Sequence, residues 1–141
     1  ALLSACAPKI AGPQPPEILY DHDLCAECGM IISEARFAAA TLLIDGDNRK
    51  FDDINEMLIY HMEHPEAQVK AWFVHDYKSE AWIRGETAFY VKSDSIVAPM
   101  EGGIVAFEDQ AAAKAYATET DGQVFTLDDL RVEVHSEVHG S

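Results

Sequence analysis

A short motif occurs twice in the chain and constrains the fold more than any other feature. Phe51-Asp52-Asp53 and Phe107-Glu108-Asp109 lie 56 residues apart, each between an apolar stretch and a helix-like segment whose start an aspartate can cap. A strand-like segment follows each helix, one with Val69 and one with Val124. The pattern predicts an α+β fold of two similar ββαβ modules in tandem, although two unrelated β-α-β stretches would give a similar pattern.

The order of these segments gives the expected module boundaries. We expect the first module at residues 21–76, the second at 77–134 and a flexible tail at 135–141. A helix is predicted to begin after Asp53 and to end before Pro65, because apolar residues between them fall on one helical face. Strands are predicted at 35–46, 48–51, 67–74, 79–85 and 88–93.

Length and charge limit the classes of function. The 141 residues suffice for one ordinary domain or two small modules that share a core. Ten basic against 25 acidic residues give a net charge of −15, which repels nucleic acid and anionic lipid. No apolar run approaches the roughly 20 residues of a membrane-spanning helix. We therefore expect no nucleic-acid partner and no transmembrane helix.

The first residues resemble the end of a bacterial lipoprotein signal. Leu3-Ser4-Ala5-Cys6 has the spacing of a lipobox, so residues 1–5 are interpreted as a signal-peptide remnant and Cys6 as the lipidated residue. Residues 6–20 are rich in proline and lack periodicity, which predicts a lipid-anchored tether. This predicts a periplasmic protein that touches the membrane only through its anchor. Ala7, where some lipoproteins have Asp, favours the outer membrane.

The other two cysteines lie close together at Cys25 and Cys28, followed by Gly29 and Met30. A structural zinc site usually needs two such pairs, and a thioredoxin-like dithiol needs a helix N-terminus that this β-rich region does not predict. Thiolate and thioether ligands select Cu(I), and Cys28 and Met30 would share one side of an extended chain that Gly29 can bend. The motif indicates a soft-metal site, which Cys25 either joins or only protects as a disulfide.

Further side chains are candidate ligands. Met100 lies in a loop between Pro99 and Gly102, where a thioether could swing onto an ion held elsewhere. His22 precedes Cys25 by three residues and could reach the same ion. Other histidines could bind metal too, although surface or structural roles are commoner for such residues: His61, His64, His135 and His139.

Several blocks of sequence, taken in order, resemble the NosL family. They are Cys-Gly-Met at 28–30, FDDINEML at 51–58, HDYKSEAWI at 75–83, AFYV at 88–91, APM at 98–100 and GGIVAF at 102–107. The resemblance runs from about residue 20 to 134. It implies a lipoprotein copper chaperone that binds one Cu(I) and serves nitrous oxide reductase or its maturation machinery, particularly the assembly of the copper–sulfide cluster.

The resemblance also implies a ligand set and a topology. The implied ligands are Cys28, Met30 and Met100; Cys25 and His22 are further candidates on their spacing in the sequence alone. The implied topology of paired ββαβ modules is similar to that of organomercurial lyase. One position departs from the family pattern, because Glu101 stands where a glycine usually follows Pro-Met.

The predicted function is the transfer of Cu(I), without catalysis. A thiolate with one or two neutral thioethers can hold the ion and still exchange it with an incoming ligand. The sequence has no GxGxxG, P-loop or GxSxG motif, so we predict that the chain is not an enzyme. The alternative is an enzyme, either a periplasmic thiol-disulfide oxidoreductase that uses Cys25 and Cys28 or a lyase-like protein that cleaves a carbon–metal bond.

Overall fold

The computed structural model describes residues 10–140, so the predicted signal remnant and the predicted lipidation site at Cys6 lie outside the described residues. The strands there are β1 (Ala39–Leu43), β2 (Asn48–Phe51), β3 (Val69–His75), β4 (Trp82–Arg84), β5 (Phe89–Lys92), β6 (Ile104–Phe107) and β7 (Gln123–Phe125). The helices are α1 (Ile54–Glu63), α2 (Gln110–Thr120) and α3 (Leu127–His139). No helix among residues 10–140 is long and apolar enough to cross a bilayer.

Two antiparallel sheets hold the strands, which confirms the predicted α+β class. The first sheet has the order β2-β1-β3-β4 and the second the order β6-β5-β7. The element order strand, strand, helix, strand occurs twice, as β1-β2-α1-β3 and as β5-β6-α2-β7. In both units the first strand lies between its hairpin partner and the strand that returns after the helix. β4 pairs with β3, so the first sheet extends beyond the expected boundary at residue 76.

The two sheets are joined at the end of β3. Asp76 and Ala106 form a parallel bridge, in which the Tyr77 N–H donates to the Ala106 carbonyl over 2.8 Å. The Asp76 carboxylate accepts hydrogen bonds from the backbone N–H groups of Ser79 and Glu108, each at 2.9 Å. One buried carboxylate therefore fixes the end of the first unit to the start of α2.

A hydrophobic core lies on each side of β5. Alternation along the strand places the buried Tyr90 in the larger core and the buried Val91 in the smaller one. The larger core contains Phe51 at the end of β2 and the apolar face of α1, which includes Met57. The smaller core contains Phe107 at the corresponding position of the second unit. The repeated phenylalanine thus anchors a strand-to-helix junction in both units.

Several predicted boundaries shift because local hydrogen bonds compete with strand pairing. β1 begins at Ala39, not at residue 35, because a turn at 35–37 is closed by N–H groups that bond to the Glu34 carbonyl. The strand predicted at 79–85 shortens to β4 because the Glu80 N–H bonds to the Asp76 carbonyl and closes another turn.

Both ends of the predicted folded region also differ from expectation. The tail predicted at 135–141 is helical through His139, because buried Leu130 and Val134 lie one turn apart on the face of α3 that packs on the core. Within the predicted tether, Ile18 is buried in the larger core and the Tyr20 hydroxyl lies 3.4 Å from His75 Nε2. The folded body therefore starts before residue 20.

The stability of this fold should depend on pH through His61. Its Nε2 lies 2.8 Å from the Thr41 hydroxyl, and burial lowers the pKa of the ring to about 4. An unfolded chain takes up that proton near pH 6.5. The free energy of unfolding should therefore be unaffected by this group above pH 6.5 and fall by about 2 kcal/mol between pH 6.5 and 4.

Urea unfolding at several pH values measures this dependence. The free energy of unfolding of His61→Gln should fall less steeply than that of the wild type between pH 6.5 and 4, because the titrating ring is gone. Equal slopes for the two proteins would contradict the prediction.

Candidate metal centre

A tight hairpin brings the two thiols together. Leu24 and Ile31 pair as an antiparallel bridge, and inside it the Cys25 N–H donates to the Met30 carbonyl at 2.8 Å. The Gly29 N–H returns to the Cys25 carbonyl at 3.0 Å. Gly29 has a φ of 75°, a left-handed conformation that favours glycine, and it closes the turn. Cys25 and Cys28 are both free thiols at the closed end of this hairpin.

Two contacts hold the hairpin against the end of β2. The Ala26 N–H donates to the Lys50 carbonyl at 2.8 Å. The Lys50 ammonium forms a 2.8 Å ion pair with Asp23, whose carboxylate also accepts the Leu19 N–H. Because Lys50 is two residues before Asp52, these contacts set the thiols beside the strand-to-helix junction.

Cys25, Cys28 and Asp52 form a compact group of donors. Their two sulfurs and one carboxylate oxygen all lie within 4.8 Å of one another. The Cys28 thiol donates to Asp52 Oδ2 over 3.5 Å, and Asp52 is only 3% exposed. Asp52 Oδ1 is buried and has no hydrogen-bond partner among the described residues. A buried carboxylate oxygen without a partner is costly, and a cation bound here would compensate for it.

The thiols are protonated in the absence of a metal ion. Burial raises the pKa of Cys25. Burial, together with the nearby Cys25 and the negative charge of Asp52, raises the pKa of Cys28 to about 12. A metal ion that binds here must therefore displace protons, and it removes the repulsion that keeps the thiols neutral. The donor set fits a soft or borderline cation.

More acidic groups surround this cluster. Glu56, in the first turn of α1, is buried, and burial followed by the charges of Asp53 and Asp52 raises its pKa to about 7. Glu27, between the two cysteines, has a raised pKa because of burial and a hydrogen bond with Glu63. The resulting negative potential attracts cations of any kind, so the selectivity must come from the two sulfurs.

The Met100 loop is attached to the same junction. The Met100 N–H donates to Asp53 Oδ2 at 2.8 Å, and Asp53 is also the N-cap of α1, accepting the Glu56 N–H at 3.0 Å. Gly102 packs so closely on Asn55 that an added Cβ would clash with it. The loop is therefore seated at the N-terminal end of α1, one residue from Asp52. Ligation by Met100 stays a prediction.

The other predicted ligands occupy different environments. Met30 lies on the hairpin and is 59% exposed, so its thioether is accessible from solvent; its ligation also stays a prediction. His22 is exposed and does not belong to the group of three donors. His61 has partners on both ring nitrogens, the Thr41 hydroxyl and the Ala67 carbonyl, and His64 bonds to the Tyr60 carbonyl. These two histidines are structural.

Comparison with known proteins connects this geometry to a family. The family model NosL matches residues 16–135. The chain belongs to the NosL family. A curated relative, the copper-binding lipoprotein NosL of Stutzerimonas stutzeri, is 26% identical in an alignment of 139 residues that covers 91% of this chain and 73% of the relative. A solved structure, that of the copper chaperone NosL from Shewanella denitrificans, has a TM-score of 0.73 and 22% identity, and the match covers 84% of this chain and 96% of that one. This similarity supports the α+β fold described above.

Asp52 is the site residue of this NosL chain that the sequence did not reveal as a donor. The sequence offers an aspartate of Phe51-Asp52-Asp53 as the cap of α1; a helix has one N-cap, and Asp53 occupies it. In the second copy Asp109 caps α2 and Glu108 is exposed. Two acidic residues in a row could therefore have indicated the donor, since only one carboxylate of each pair caps the helix and the other is free for another role.

The seating of the Met100 loop can be tested by Gly102→Ala. The new methyl group would clash with Asn55 Cβ, so the loop must move away from α1 at a cost of about 1–3 kcal/mol. Urea unfolding measures the loss. Asn55→Gly in the same chain removes the clashing atom, so the double variant should lose less than the two single changes added together. Strict additivity would contradict this packing.

Proposed function

We propose that this chain binds one Cu(I) through Cys25, Cys28 and Asp52 and acts as a copper chaperone. The observation that carries the proposal is the group of two thiols and one buried carboxylate within 4.8 Å, in which Asp52 Oδ1 has no hydrogen-bond partner among the described residues. Curated and solved relatives described as copper-binding and as a copper chaperone support it.

The donor chemistry favours Cu(I) over other ions. Two thiolates match the softness of Cu(I), whereas a structural zinc site would need a fourth protein ligand. Asp52 contributes mainly through the attraction of its carboxylate for the cation, since carboxylate is a hard donor. Met30 on the hairpin and Met100 on the seated loop are the proposed thioether ligands, which complete the coordination sphere as neutral donors.

The exposure of the donors fits exchange of the ion with a partner. Cys25 is buried at 3% exposure, Cys28 is half-buried, and Met30 is 59% exposed. An incoming ligand can displace the exposed thioether first and the buried thiolate last. Stepwise exchange of ligands in this order moves the ion to the partner without releasing it into solvent.

Dithiol redox catalysis is the less favoured function. A catalytic thiol must be a thiolate near neutral pH, which requires a lowered pKa. Burial raises the pKa of both thiols, and neither cysteine is at a helix N-terminus. The same protonated thiols suit a metal site, because the cation itself drives deprotonation.

The partner and the location follow from the family resemblance and are part of the proposal. The chain would act in the periplasm, held to the membrane, with the outer membrane favoured, by a lipid on Cys6. It would deliver copper for the copper–sulfide cluster of nitrous oxide reductase, directly or through its maturation machinery. The description of the Stutzerimonas relative as a lipoprotein supports the anchor.

Competition with a chromophoric Cu(I) chelator, such as bathocuproine disulfonate, tests the site in the reduced protein. The wild type should retain one ion per chain. Cys28→Ser and Cys25→Ser should each lower the affinity by about a hundredfold or more, because each removes a thiolate. Asp52→Asn, Met30→Leu and Met100→Leu should each lower it by about tenfold.

The matched control is Met62→Leu, since Met62 lies near the C-terminal end of α1, away from the hairpin. It should leave the Cu(I) affinity unchanged. Undiminished retention by Cys28→Ser, or a preference of the reduced wild type for Zn(II), would refute the proposed site.

Delivery needs a test in cells. In a denitrifying host that lacks its own NosL protein, the wild-type chain should restore the visible absorption of the copper–sulfide cluster in purified nitrous oxide reductase. Cys28→Ser should leave the reductase deficient in that cluster at equal chain abundance, and Met62→Leu should behave as the wild type. Full restoration of the cluster by Cys28→Ser would show that copper delivery does not depend on this site.

A further inference from the structure

The two histidines at the end of α3 form a pair on one helical face. His135 and His139 are four residues apart, and their ring centroids lie 4.6 Å from each other. Both residues are exposed, and neither ring makes a hydrogen bond with a described residue. Two metal–nitrogen bonds of about 2 Å can meet at one ion from rings at this separation. Paired imidazoles at this helical spacing are a known way of binding transition metals.

The helix that carries the pair is firmly placed. Leu130 and Val134 are buried, and the Lys92 ammonium forms a 2.7 Å ion pair with Glu137, which lies between the two histidines. The rings therefore do not depend on a flexible tail for their relative position. Holding two ligands in place lowers the entropic cost of binding an ion.

The surroundings of the pair can accept a cation. His135 and His139 line a groove of about 600 Å³ between α1 and α3, which Asp128 and the thioether-bearing Met62 also line. Arg131 lines it too, but its guanidinium lies over the Trp72 ring at 5.1 Å from the centroid. The groove is open, so water can fill the remaining coordination positions.

This groove is separate from the hairpin site. Asp53, the N-cap of α1, directly follows Asp52. Met62, which lines the groove, is nine residues later, about 13 Å along the helix axis. The two places cannot share one ion. They also differ in donor type, sulfur at one end and imidazole nitrogen at the other.

We propose that His135 and His139 form a second metal site, selective for borderline divalent ions such as Cu(II) and Ni(II). Imidazole binds these ions well, and among first-row divalent metals the affinity is greatest for Cu(II). The chain would then hold Cu(I) at its sulfur end and a divalent ion at its imidazole end at the same time. The inference does not depend on the proposed Cu(I) site.

Titration with Ni(II) and then Cu(II) tests the pair in the full chain carrying Cys25→Ser and Cys28→Ser, because these changes prevent the thiols from reacting with Cu(II). Calorimetry should show one ion per chain in each case, and the Cu(II) form should give an electron paramagnetic resonance spectrum with nitrogen hyperfine splitting. His135→Ala and His139→Ala should each weaken binding by at least about tenfold.

The control moves one imidazole without changing the number of histidines. Glu137→His with His139→Ala places the second ring two residues from His135, on another face of the helix, and should bind as weakly as His139→Ala alone. Circular dichroism checks that α3 persists. Equal affinity of the parent and both alanine variants, or full affinity of the displaced variant, would overturn the proposal. In the cysteine-containing chain, His135→Ala should leave Cu(I) competition unchanged, so failure of either site can be recognised separately.

Discussion

The Asp53 carboxylate makes the contact on which both parts of the candidate Cu(I) site depend. One of its oxygens accepts the Glu56 N–H and caps α1, and the other accepts the Met100 N–H from a loop 47 residues later. Burial raises the pKa of this carboxyl, whereas the backbone N–H groups that it accepts favour the ionised form. The helix start and the loop are thus held by a single group, and the neighbouring Asp52 is oriented towards the thiols.

The geometry of Asp52 is understandable only as a compromise between stability and function. A carboxylate that is 3% exposed, with one oxygen unpartnered, destabilises the metal-free fold. The hydrogen bond from the Cys28 thiol offsets part of that cost. Replacement by an apolar residue of similar size would relieve the remainder, so packing alone does not account for an aspartate at this position.

Sequence patterns revealed the architecture better than they revealed the site. α1 and the strand-to-helix junctions at Phe51 and Phe107 could be predicted, because burial of one face spaces the apolar residues regularly along the sequence. α3 was missed, since most of its side chains are polar and only Leu127, Leu130 and Val134 are buried. The pairing of the Cys25 hairpin with Asp52 depends on backbone bonds to Lys50, which leave no trace in residue type.

Comparison of the two strand-to-helix junctions shows why the first brings an acidic side chain together with two thiols. Both have a buried phenylalanine, an acidic residue and an aspartate that caps the helix from an extended conformation, so the local arrangement is similar. In the first, a hairpin with two thiols covers Asp52 and buries it. In the second, Glu108 is exposed and its N–H bonds to Asp76, the residue that joins the two sheets. The covering segment accounts for the difference, because the same acidic position is a solvated side chain in one unit and a buried carboxylate beside two thiols in the other.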